Sequence, residues 1–249
     1  MVKAPGPQLA FWLERPNIAA CEIAKLVGYK IVVIDMEHGA IGAEACDTIV
    51  AMCRALGLTC YVRVASAERL LIQQALDFGA DGVVLPQIVD ESHATVVCAY
   101  AKYPPHGTRG VGYSRAMNYG AYTATDDAFF AAENSRTVCH AMIETPGALR
   151  DVEAIARLDT VDGLFIGPSD LSMTRGRGSF KFSPEDQADF RTVAAAARNA
   201  GKVLGLPAPS AGAYALAVAE GAGYVTVSDD ITALRLGFAE GLKVADSVR

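Results

Sequence analysis

The chain has six cysteines, Cys21, Cys46, Cys53, Cys60, Cys98 and Cys139, but no C-x-x-C pair. The usual sequence signs of a zinc ribbon or a dithiol redox motif are therefore missing. Most of the six sit in apolar stretches, where free cysteine acts as a small core residue, which points to reduced thiols and a cytoplasmic setting. No hydrophobic run is long enough to span a bilayer. The short apolar run after the opening MVKAPGP ends at Glu14-Arg15-Pro16, too soon for a signal h-region. Basic residues are outnumbered, with 22 Lys and Arg against 28 Asp and Glu for a formal charge of -6, so no nucleic-acid-binding face is indicated. Nothing reads as the aromatic lining of a sugar cleft. No G-x-G-x-x-G follows the first strand, as an open dinucleotide-binding sheet would usually require.

What is present is an alternation. Short β-branched runs at 9–13, 31–35, 60–64, 82–86, 138–143, 163–166, 203–206 and 224–227 alternate with helix-patterned segments such as 44–56, 67–78, 94–103, 149–158 and 184–199. Continuous apolar strands separated by helices imply parallel strands covered on the outside. Eight such units in 249 residues predict a single (β/α)₈ TIM barrel over the whole chain, at about 30 residues per unit. An internal echo supports this. Gly79-Ala80-Asp81-Gly82, Val161-Asp162-Gly163 and Gly221-Ala222-Gly223 each close a helix and open a strand, with glycine ending the helix in the left-handed conformation. One segment breaks the rhythm: residues 104–125 form a long Gly- and Tyr-rich connection, either a lid or subunit contact, or an excursion packed on the outside.

In parallel barrels reactive groups sit at the C-terminal ends of strands. The second strand ends Asp35-Met36-Glu37-His38, the third carries Arg63, the fifth ends Glu144-Thr145, and the sixth ends Gly167-Pro168-Ser169-Asp170. Glu144 and Asp170 close consecutive strands. Two such carboxylates suit a hard divalent ion, or one of them caps the following helix. His38 is either an acid/base residue or a structural histidine. Arg63 either binds substrate or forms a structural ion pair. His140 shares strand parity with Glu144 and is expected inside the barrel as packing. Asp77, just before a Gly terminator, reads as solvated helix surface. Lys30 and Lys202 precede their strands, and the other lysines fall in helices or loops, which speaks against a Schiff-base aldolase.

The stretches VVIDMEHG, YVRV, LDFGADGVVLPQI, YPPHGTRGVG, MIETPGAL and VDGLFIGPSDLS occur in this order. Together they resemble the HpcH/HpaI aldolase family from about residue 10 to residue 235. The resemblance implies a metal-dependent pyruvate aldolase that joins or cleaves a keto acid and an aldehyde, with a divalent cation (Mg²⁺, Mn²⁺ or Co²⁺). By motif match, Glu144 and Asp170 are the implied metal ligands. The backbone around Gly167, Ser169 and Asp170 would hold the pyruvate carboxylate, Arg63 would face the keto oxygen, and His38 would be the acid/base residue. Asp77 as the carboxylate that orients His38, and a hexameric trimer of dimers, are implied by the resemblance alone. Met142 stands where several relatives carry glutamine. The 112–116 and 206–209 segments also depart from the family pattern, in the region that selects the acceptor. A CoA-thioester lyase of the same superfamily and a non-catalytic keto-acid-binding barrel remain the rival readings.

Overall fold

A computed structural model describes residues 6–121 and 127–246. Eight strands, β1 (Gln8–Leu13), β2 (Ile31–Asp35), β3 (Thr59–Arg63), β4 (Gly82–Leu85), β5 (Val138–Ile143), β6 (Gly163–Ile166), β7 (Val203–Pro207) and β8 (Tyr224–Asp229), close into one barrel in chain order. Every neighbouring pair is parallel, and β1 closes the ring against β8. The expected TIM barrel is the fold of the chain. Around it run α1 (Ile18–Val27), α2 (Ala43–Leu56), α3 (Arg69–Asp77), α4 (Glu91–Cys98), α5 (Asp127–Arg136), α6 (Pro146–Arg150), α7 (Val152–Arg157), α8 (Pro168–Thr174), α9 (Pro184–Asn199), α10 (Ala211–Ala219) and α11 (Asp230–Asp246).

The strands read as unbroken apolar runs because both their faces are covered. All five residues of β2 are buried. Residues of one parity, including Ile31, Val33, Tyr61, Val84, Met142, Phe165 and Tyr224, fill the barrel itself. Those of the other parity, such as Val32, Ile34, Val62 and Ile143, join a second, larger cluster under the helices. All six cysteines are buried and free. No helix among the described residues is long and apolar enough to cross a membrane.

Helix boundaries follow local chemistry. The segment at 184–199 is found as expected because Ser183 accepts the Asp186 N–H, Asp186 accepts the Ser183 N–H, and Pro184 opens the first turn. The segment at 149–158 is interrupted at Asp151 and gives α6 and α7. The segment at 94–103 starts earlier, at Glu91, where the Asp90 carboxylate caps the His93 N–H at 2.8 Å, and ends in a 3₁₀ turn, Ala99–Ala101. Left-handed glycines do end helices at Gly79 (φ 91°) and Gly221 (φ 76°). Gly163 has a different use: it lies within β6, where a Cβ would come within 2.6 Å of the His140 ring. The described part of the 104–125 connection packs on the outside. Its backbone bonds to Ala99 and Lys102, Gly110 donates to the Gln73 side chain, and Arg115 reaches Asp47 and the Phe78 carbonyl. Residues 122–125 of that connection lie outside the described residues.

Candidate active site

The inward parity of β2 runs Ile31, Val33, Asp35, so the strand delivers a carboxylate into the mouth of the barrel at its C-terminal end. The register pairs Asp35 with Arg63 on β3, and the two side chains form a buried fork. Arg63 Nε donates to Asp35 Oδ1 at 2.9 Å and Nη2 to Oδ2, while Nη1 lies 3.1 Å from Glu37 Oε2. The Trp12 ring covers the guanidinium at 4.8 Å. Asp35 Oδ1 also accepts the amides of Glu37 (3.0 Å) and His38 (3.1 Å), which shapes the turn that follows β2. Burial pushes the Asp35 carboxyl up, but the Arg63 guanidinium and these two amides outweigh it and hold the group below its ordinary value. Burial raises Glu37, with Arg63 offsetting only part of the effect. A guanidinium has five N–H donors; Asp35 takes two of them in hydrogen bonds and Glu37 pairs with Nη1 by charge, which leaves donors on both Nη atoms for a ligand.

Across the mouth, Glu144 follows β5 with its side chain fully buried. One oxygen, Oε1, accepts the Gln87 amide at 2.6 Å, and Gln87 adopts a positive φ of 54°. The other, Oε2, is buried with no hydrogen-bond partner. Burial, reinforced by the charges of Glu37 and Asp170 and only partly offset by the Gln87 amide and Arg63, pushes the Glu144 carboxyl up to about 7. Gly167 makes the space for it: a Cβ there would sit 2.5 Å from Oε2 and 2.7 Å from the Glu144 Cβ. Gly167 caps α8, Pro168 opens the helix, and Ser169 and Asp170 occupy its first turn, where backbone N–H groups have no intrahelical acceptor.

Arg63, Asp35, His38, Met142, Gly167, Ser169 and Asp170 line one cavity of about 320 Å³, and Glu144 lies directly behind Gly167. The His38 side chain is 64% exposed at the rim, 4.0 Å from Glu37. Asp77 is not part of this group. It ends α3, which leads down to the start of β4, and its carboxylate accepts Arg109 Nη2 at 2.8 Å. Within one chain the structure does not bring Asp77 to His38. His140 packs inside the barrel as expected, its ring against Tyr61 (4.8 Å) and Tyr224 (5.4 Å). Burial lowers its imidazole to about 4. The lining of the cavity contains no lysine. Among the described residues the buried lysine is Lys102, held by the Asn134 and Thr137 carbonyls and Asp162 near the starts of β5 and β6, the opposite rim.

A family model described as HpcH/HpaI aldolase/citrate lyase matches residues 8–232. The chain belongs to this family. Among curated relatives, a 4-hydroxy-2-oxovalerate aldolase of Rhodococcus jostii is 32% identical over 228 residues, covering 90% of this chain and 85% of the relative. An enzyme of the same description from Novosphingobium aromaticivorans is 38% identical over 69% of this chain and 64% of its own length. A solved HpcH/HpaI aldolase/citrate lyase family protein of Burkholderia cenocepacia superposes with a TM-score of 0.87 at 27% identity, covering 97% of this chain and 95% of that one.

The residues present fit a hard divalent cation. Glu144 offers a buried oxygen without a partner, Asp170 raises the Glu144 carboxyl by its charge, and the glycine between them leaves room. Among the described residues no group of three or more His, Cys, Asp or Glu side chains is arranged around a metal. A two-carboxylate set, with water and substrate oxygens completing the shell, is how Mg²⁺ is commonly bound. The sequence reading missed the roles of Asp35, Glu37, Trp12 and the Gln87 amide. Asp35 had a signal, since it follows Ile31 and Val33 in parity and ends a strand beside the one carrying Arg63.

Proposed function

We propose that this HpcH/HpaI family member is a class II aldolase that forms or cleaves 4-hydroxy-2-oxo acids, with the enolate of pyruvate or hydroxypyruvate as nucleophile and an aldehyde as acceptor. The names of the relatives support the activity class. The observation that carries the site assignment is the unpartnered Glu144 Oε2, beside Gly167, which with Asp170 and Arg63 lines the cavity. A buried acceptor left without a donor costs on the order of 1–3 kcal/mol, and a cation removes that cost.

Glu144 and Asp170 would hold the divalent ion. When bound, it supplies Lewis-acid polarisation of the ketone, which lowers the pKa of the methyl protons. The free first-turn amides of Ser169 and Asp170 bind the carboxylate of the keto acid, and Gly167 lets the substrate approach the backbone. Arg63 turns its free Nη N–H groups to the keto oxygen and stabilises the charge that develops there in enolisation. Asp35 and Glu37 fix the guanidinium beforehand, so little reorganisation is needed during the reaction. His38 transfers the proton between the aldol hydroxyl and solvent, consistent with its exposed place at the rim. An orienting role for Asp77 on His38 requires a second copy of the chain, which supports a homo-oligomer such as a hexamer built as a trimer of dimers. Six buried unpaired thiols support a reducing, cytoplasmic compartment.

Exhaustive chelation should abolish pyruvate release from a 4-hydroxy-2-oxo acid, and Mg²⁺, Mn²⁺ or Co²⁺ should restore it. Asp170→Ala should not be restored by any of them. Full turnover after metal removal would overturn the reading.

A further inference from the structure

The mouth of the barrel is divided by strand order. The ends of β1, β2 and β3 contribute Trp12, Glu14, Asp35, His38 and Arg63, polar but for Trp12, whose ring is taken up by the Arg63 guanidinium. The β5–β7 side contributes Met142, Phe165, Phe180, Pro207 and Pro209, together with Gly167, Ser169 and Asp170 at the end of β6. Phe180 is not a loose loop residue. Its ring stacks on the buried Phe190 of α9 (6.1 Å, 26°) and meets Phe182 edge-on (6.3 Å, 78°), so a rigid aromatic wall stands at that flank. Met142 continues the apolar surface into the barrel. The charges at the mouth are Glu14, Asp35, Glu37, Glu144 and Asp170 against Arg63, which Asp35 and Glu37 already hold.

We infer that the β6–β7 flank is the acceptor subsite, and that it takes an uncharged aldehyde with a short hydrocarbon tail in preference to one bearing a second carboxylate. The inference rests on the pyruvate-aldolase reading and adds the substrate class to it. A hydrocarbon tail gains by leaving water for the Phe180–Pro209 wall, up to about fourfold in affinity per buried methylene. A tail carboxylate would instead be desolvated against apolar side chains, with carboxylates across the mouth repelling it. The reaction balances without a further reactant. Pyruvate C3 loses a proton and attacks the aldehyde carbon, forming one C–C bond. The carbonyl π pair moves to oxygen, which takes up a proton.

The test uses the full chain with Mn²⁺. Exchange of pyruvate methyl protons in D₂O is measured first, then kcat/KM for butanal and for 4-oxobutanoate, which have equal carbon counts. Exchange with butanal favoured at least about 10-fold is the expected result. Phe180→Ala should reduce that preference several-fold, and Pro209→Lys, at an exposed position that tolerates substitution, should shift it towards 4-oxobutanoate. Absence of exchange would overturn the aldolase reading itself. Normal exchange with 4-oxobutanoate used as well as or better than butanal would overturn this inference alone, as would a preference unchanged in both variants.

Discussion

Glu144→Gln should make the metal-free protein more stable while ending its response to divalent cations. The native carboxyl is raised from 4.5 to about 7, so ionising it in the folded state costs about 3 kcal/mol more than in the unfolded chain, at 1.36 kcal/mol per pKa unit. For a carboxyl raised on folding, that cost is absent below pH 4.5, grows as pH rises to about 7, and is complete above it. The amide keeps an oxygen for the Gln87 N–H and carries no charge. At pH 8, in chelator, the variant should therefore melt higher than the parent by roughly 6–12 °C, taking about 2–4 °C per kcal/mol for a chain of this size. At pH 4.5 the gap should nearly close. Adding Mn²⁺ at pH 8 should raise the parent's midpoint and leave the variant's unchanged. Melting curves from pH 4.5 to 8, with and without metal, test all of this. A variant no more stable than the parent at pH 8 in chelator would refute the claim that Glu144 is held for a ligand at the expense of the fold.

Arg63→Ala should cut the aldol rate by at least about 100-fold, as for loss of an oxyanion donor. It should also destabilise the protein by about 3 kcal/mol because Asp35 is left buried and unpaired; steady-state kinetics and urea unfolding measure the two effects separately. Gly167→Ala places a methyl 2.5 Å from Glu144 Oε2 and 2.8 Å from Met142 Cε, so Mn²⁺ affinity read by calorimetry should fall at least about 10-fold, the step usual for disturbed ligand support. His140, lowered from 6.5 to about 4 by burial, contributes stability that is present above pH 6.5 and lost as pH falls towards 4, about 3 kcal/mol in all. His140→Phe should flatten that acid limb in urea titrations, whatever its stability at neutral pH.

The barrel was legible because its eight strands are buried on both faces and so stand out as apolar runs. The helix over 184–199 was legible because Ser183, Pro184 and Asp186 mark its start in the sequence itself. The break at Asp151 was not, since the apolar pattern continues across it. At the site, strand ends located Glu144, Arg63, His38 and Asp170, because parallel topology alone brings them to one rim. What the sequence could not express is pairing across strands. Arg63 read equally as substrate contact or ion pair, and the register shows the ion pair, with Asp35 taking one edge of the guanidinium and N–H groups left free on the other. The reverse holds for Asp77, where the role implied by the resemblance has no counterpart inside a single chain.

The six thiols offer a use of their own. They lie on α1, α2, β3, α4 and β5, all fully buried, and most of them meet in two groups, Cys21 with Cys53 and Cys60, and Cys98 with Cys139. A bulky alkylating reagent should leave the folded enzyme untouched and label each group only when the staves around it open. Mass spectrometry of the labelled peptides would then time the loosening of the barrel sector by sector, without a single engineered probe.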